Sequence, residues 1–158
     1  MLGTLFSGEM VKDRPDSHLH PEVFEILGEI FLKVDSQNRP FICEEIEMGR
    51  IVGLTSCVQT SNEDEIVFAQ RPRRNGLTRF VKNRQSVPCS KVVVILKKID
   101  DEEYGYVLIT SFVGAMAEVE PWDERATQKS IDFWNNNALV MDGSNEIMPG
   151  TETYICPW

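Results

Sequence analysis

A chain of 158 residues, 42% hydrophobic and 26% charged, has the makeup of one soluble globular domain and not of a disordered segment. It contains no run of 18 apolar residues, which excludes a membrane-spanning helix, and no CxxC pair, which removes the usual zinc spacing. The formal net charge of −9 conceals an uneven distribution of 16 Lys and Arg against 25 acids.

Residues 1–16 read as an irregular lead-in arm, with Gly3, Gly8 and Pro15. The opening MLGTLFSGEMVKDRPDS is too short in its apolar part, and too quickly charged, to serve as a signal peptide. A cytoplasmic location is therefore expected. Cys43, Cys57, Cys89 and Cys156 are expected to be reduced and mostly buried.

The next stretch, DSHLHPEVFEILGEIFLKVD, predicts an amphipathic helix of about four turns. Pro21 suits the first turn, with Ser17 or His20 as cap. Val23, Phe24, Leu27, Ile30, Phe31 and Val34 share one face, opposite Glu22, Glu25, Glu29 and Lys33. Ile26 sits at the stripe's edge, and only Leu32 strays from it.

After Pro40 the segments PFICEEIEMG, RIVGLTSCVQT and DEIVFAQR predict strands of an antiparallel meander. SKVVVILKKI predicts a central strand, joined through an acidic tip to the returning strand YGYVLITSFVG. A second helix is expected near residues 124–136, with Ala126, Ser130, Phe133 and Trp134 on one side. Residues 141–158 read as a loop-rich tail, with a short strand at TYICPW. The expected fold class is α+β: one domain over 1–158, an N-terminal helix packed on an antiparallel sheet of about 4–6 strands, and a second helix.

Charge supplies the functional signal. Residues 66–98 hold nine cations: Arg71, Arg73, Arg74, Arg79, Lys82, Arg84, Lys91, Lys97 and Lys98. No acid falls in that window, so a +9 segment stands beside a remainder of seven cations and 25 acids, which is −18. Phosphate suits such a surface, because arginine forks onto its oxygens and counterion release adds affinity. The plainer alternative is a set of strand-end charges neutralised by acids elsewhere in the fold.

The two histidines, His18 and His20, could act as general acid or base, or could simply cap and flank the helix. As an HxH pair they are half a metal site with no further histidine to complete it, so neither metal nor other cofactor is expected. Thr110 and Ser111 end an apolar strand, where a hydroxyl can meet phosphate or merely favour the strand. The three tryptophans are expected in the core rather than as base platforms.

The series DEIVFAQRPRRNGLTRFVKNR, KVVVILKK, YVLITSFVGAMAEVEPWD and FWNNNAL resembles a prokaryotic and phage group of small proteins over residues 64–140. That group looks like the ribonuclease-toxin fold shared by barnase, EndoU, colicin and RelE nucleases. The resemblance implies metal-independent RNA cleavage, with Arg73, Arg79 and Lys82 holding phosphate and Thr110 contacting it. Arg71, Arg74, Arg84 and Ser111 are further candidate RNA contacts. His18 or His20 would transfer the proton, although neither lies in the matching stretch.

One departure matters. Where the group has the histidine of FWxxHAL, this chain has Asn137, whose amide cannot transfer a proton at neutral pH. Either that histidine is not catalytic, or this chain is a weakened or inactive variant. The expected partners are RNA, through its phosphate backbone, and a cognate inhibitor protein. The alternative is an acidic, non-enzymatic immunity- or antitoxin-like protein that binds a basic partner.

Overall fold

The computed structural model describes residues 18–19, 23, 25–35, 37–100 and 105–158. The lead-in arm, the helix cap around Pro21, His20 and most of the acidic tip lie outside the described residues. The architecture is α+β, mostly strands in open sheets with two short helices. The chain forms two compact units, Met1–Leu54 with Pro88–Met116, and Thr55–Val87 with Ala117–Trp158.

In the first unit, helix α1 (Leu27–Leu32) is six residues long, shorter than the expected four turns, and carries part of the expected apolar stripe. Leu27, Ile30 and Phe31 are buried, as are the flanking Val23 and Val34, whereas the stray Leu32 is 88% exposed. Strands β1 (His18–Leu19), β2 (Phe41–Glu47), β8 (Lys91–Lys98) and β9 (Tyr106–Val113) form a four-stranded sheet in the order β1-β9-β8-β2. Strands β8 and β9 are the expected antiparallel pair, with an irregular register between Ile95 and Leu96. Val92, Val93 and Val94 are all buried, as befits an interior strand with both faces covered.

The second unit is built on the order β4-β10-β6-β5, from β4 (Cys57–Gln59), β5 (Ile66–Gln70), β6 (Leu77–Val81) and β10 (Asn137–Val140). Helix α2 (Gln128–Asn136) runs straight into β10. It begins where the Thr127 N–H donates to Ser130 Oγ at 3.0 Å, one half of a capping box. Trp134 is buried in one cluster with Val67, Ala69, Phe80 and Leu139, and its ring N–H donates to the Glu118 carbonyl at 2.9 Å. Strands β3 (Gly53–Thr55) and β7 (Val87–Cys89) pair as a two-stranded ribbon, within which the chain passes from one unit's segment to the next.

Several sequence expectations need correction. There is no meander through residues 41–70: β2 pairs with β8, while β4 pairs with β10. Strand propensity marks where a strand occurs but not its partner, and here the partners are remote in sequence. The sheets are not wholly antiparallel, since β1–β9 and β10–β6 run parallel. TYICPW forms no strand; only Thr153 bridges, to Phe68. The second helix starts at Gln128, because residues 120–126 are held in turns by the bonds Asp123 N–H to Glu120 C=O and Ala126 N–H to Asp123 C=O, each 2.9 Å. The cysteines are free thiols, but three are only half-buried and Cys156 is exposed.

Candidate nucleic-acid interface

The loop 71–76 joins β5 to β6 and separates its arginines by role. Its turn closes with the Arg74 N–H donating to the Arg71 carbonyl at 3.2 Å. Arg73 takes a left-handed backbone, φ 60°. Gln70 Nε2 donates to the Arg74 carbonyl at 2.8 Å. Gly76 lies directly under Trp122, leaving no room for a side chain.

Arg71 is turned inward: it donates to Glu120 at 2.7 Å and to Thr78 Oγ1 at 3.2 Å. The buried Thr78 hydroxyl donates to the same carboxylate in a short hydrogen bond. Arg73 and Arg74 are exposed, with no side-chain hydrogen bond or ion pair to the described residues. One loop thus carries one structural arginine and two outward ones.

Further cations lie along β6, at Arg79, and beyond its far end, at Lys82 and Arg84. Arg79 is half-buried and donates to Thr60 Oγ1 at 2.8 Å and to the Asn137 carbonyl at 3.0 Å. Burial lowers its pKa, opposed by the nearby Cys156 and Asp64, but a guanidinium stays charged regardless. Arg84 donates to the Gln59 carbonyl at 2.7 Å and stands 3.6 Å from Asp64. Lys82 donates to the Tyr154 hydroxyl at 3.1 Å and lies 3.8 Å from Glu65; the hydroxyl contact is the larger cause of its raised pKa. Tyr154 is 65% exposed. Trp158 meets Phe68 edge-on at 5.2 Å and donates to Asn135 at 2.8 Å.

The expected site residues therefore fall into two groups. Arg71, Arg73, Arg74, Arg79, Lys82, Arg84 and Asn137 belong to the second unit, and Arg79 and Asn137 touch. Asn137 donates its amide to the Phe133 carbonyl at 2.8 Å, so both its backbone carbonyl and its side-chain amide serve the fold. In the first unit, His18 stands opposite Thr110 in the parallel ladder. Ser111 is fully buried, and its hydroxyl donates to the Val93 carbonyl at 2.9 Å.

Glu120 and Tyr154 did not stand out in the sequence. The basic window holds no acid along the chain, yet Glu65, Asp64, Glu120 and Glu45 reach Lys82, Arg84, Arg71 and Lys91 in space. Tyr154 sits in TYICPW, where a short strand is expected and only the bridge at Thr153 forms. An exposed lysine beside an exposed phenol ring, with two exposed arginines on the loop of the same hairpin, can hold phosphate oxygens and stack a base. Among the described residues no cluster of three His, Cys, Asp or Glu could hold a metal ion. Comparison with protein-family models, with characterised proteins and with solved structures returned no match.

Proposed function

We propose that this chain binds single-stranded RNA on the second unit, in the manner of a ribonuclease-toxin-like protein. The observation that carries the reading is the exposed Tyr154 ring beside Lys82, at the far end of a hairpin whose loop presents Arg73 and Arg74. The five residues of β5, at about 3.4 Å each, separate the two basic ends by roughly 17 Å. Phosphates would meet Arg73 and Arg74 at one end and Lys82 and Arg84 at the other, while a base stacks on Tyr154. Metal-independent cleavage is the extension of this reading. It would fall to His18 or His20 as acid or base, since Asn137 cannot take that role. In the same proposal the N-terminal helix packs on the first unit's sheet, for which the shared apolar cluster of Leu27, Ile30, Phe31, Ile42 and Leu96 speaks.

The test is fluorescence anisotropy of a labelled single-stranded RNA across a salt series. Each lost phosphate contact in Arg73→Ala, Arg74→Ala or Lys82→Ala should lower the slope of log affinity against log salt by about 0.7. Tyr154→Ala should weaken binding about ten-fold without changing that slope. Salt-insensitive binding, or none, refutes the proposal. Cleavage is assayed without metal beside His18→Ala, His20→Ala and Asn137→His.

A second reading is an acidic, non-enzymatic protein for a basic partner. It is favoured by the four carboxylates that face Arg71, Lys82, Arg84 and Lys91 and so neutralise much of the basic window.

A further inference from the structure

We infer that the outer edge of β2 is a docking edge for an extended, basic segment of a protein partner, which adds to the first unit's sheet as a new strand. The inference is independent of RNA binding, and it gives the acidic-partner reading a surface.

The Met48 N–H donates to the Ser90 carbonyl at 2.9 Å, and the Lys98 N–H donates to the Pro40 carbonyl at 2.8 Å. Between these two bonds the register runs unbroken from Phe41 opposite Lys97 to Glu47 opposite Lys91. In an antiparallel pair, alternate residues turn their backbone groups toward the partner. The even-numbered residues of β2 therefore face β8, and the N–H and C=O of Phe41, Cys43, Glu45 and Glu47 point away from the sheet. Strand β2 stands last in its sheet, and no hydrogen bond to those outward groups occurs among the described residues.

The same chain closes a comparable edge elsewhere. Outside β5 the tail supplies partners: Met148 N–H donates to the Gln70 carbonyl, Gln70 N–H to Thr151 Oγ1, and Phe68 and Thr153 exchange two bonds at 2.8 Å. The seven-residue edge of β2 has no such cover among the described residues. Such edges are templates for strand addition unless guarded.

The side chains decide what can be added. Strand β2 carries Glu44, Glu45 and Glu47 and no cation; within the unit Arg39 pairs with Glu44 and Lys91 with Glu45 at 3.1 Å, while Glu47 has no ion pair among the described residues and faces an incoming strand directly. A second copy paired across a two-fold axis would set this acidic edge against itself, which like charges on facing strands oppose. A strand with Lys or Arg at alternate positions meets no such opposition. Phe41, 55% exposed at one end, offers that strand an apolar contact.

The experiment uses a blocked decapeptide of alternating Lys and Thr, with its Glu–Thr counterpart as control, read by amide NMR shifts of the full chain. The Lys–Thr peptide should shift the amides of Phe41, Cys43, Glu45 and Glu47 most, and the Glu–Thr peptide should not bind. Cys43→Pro removes an outward N–H but no bond to β8, so it should weaken the peptide by about ten-fold. A peptide N-methylated on alternate amides gives the same reading without altering the protein. The pair Glu45→Lys and Glu47→Lys should reverse the peptide preference. Absence of binding at millimolar peptide, equal binding of both peptides, indifference to N-methylation, or dimerisation through β2 would each overturn the inference. RNA anisotropy, read on the second unit, stays a separate result in every case.

Discussion

Replacing Glu120 by alanine is the sharpest test of how the second unit is held together. Glu120 is 9% exposed and Arg71 21%, with 2.7 Å between guanidinium and carboxylate. The fully buried Thr78 hydroxyl depends on the same carboxylate. Removing one member of a buried pair leaves an uncompensated charge, at a cost of about 3–5 kcal/mol. The lower end applies here because Arg71 keeps some contact with water, so about 3 kcal/mol is expected. For a chain of this size that corresponds to a fall of about 6–12 °C in Tm. With a urea m-value of about 2 kcal/mol/M, the midpoint would drop by roughly 1.5 M. All three tryptophans, Trp122, Trp134 and Trp158, lie in the second unit, so their fluorescence follows the affected part. Glu120→Gln should cost less, since its amide oxygen can still accept from Thr78. The double change Arg71→Met, Glu120→Leu should recover part of the loss, because an apolar pair leaves no stranded charge. A Glu120→Ala midpoint within about 0.3 M of the parent refutes the reasoning, as does a double variant less stable than the single one.

Other outcomes follow from single residues. At Gly76 an added Cβ would overlap the Cβ and Cγ of Trp122, with Cδ1 at 2.7 Å; Gly76→Ala should cost about 3 kcal/mol and shift Trp122 emission, by urea unfolding and fluorescence. Hydrogen bonds from Ser144 first and Ser86 second (Ser144 N–H at 2.9 Å, Ser86 Oγ at 2.6 Å, Ser86 N–H at 2.9 Å) hold the Asp142 carboxyl well below the usual range. A depressed folded pKa gives stability that is complete above the unfolded value near 3.9 and is lost as pH falls below it. Asp142→Ala should therefore flatten part of the acid limb of a stability–pH curve, while leaving its slope at neutral pH unchanged. Burial, with the Glu120 charge, pushes the Cys57 thiol up to about 11, so iodoacetamide at pH 8 should label exposed Cys156 well before Cys57, by mass spectrometry.

The parts legible in the sequence were those with a local period. The stripe of α1, including its exception at Leu32, follows from three- and four-residue spacing alone. The β8–β9 pair was legible because both strands are long, apolar and adjacent in the chain. The pairing of β2 with β8 was not, since register between remote segments depends on the whole fold. Strand β10 was hidden because NALV follows a helix without a break and looks like its end. For the candidate site, the concentration of cations was plain, but their commitments were not. Arg71 and Arg73 are two residues apart and look alike in the sequence; one is held by a buried carboxylate, and the other is exposed with no side-chain partner among the described residues.

The place of β10 bears on how the molecule is made. It comes last in sequence among the described strands, yet it stands between β4 and β6. Until residues 137–140 have left the ribosome, the β5–β6 hairpin and β4 have nothing to join them, and two strand edges stay open. The second unit therefore cannot assemble progressively during synthesis; it closes late, around an insertion. A chain stopped before residue 137 would lose the middle of that sheet and not its margin, and such a product should be found degraded or aggregated rather than as a trimmed but folded protein.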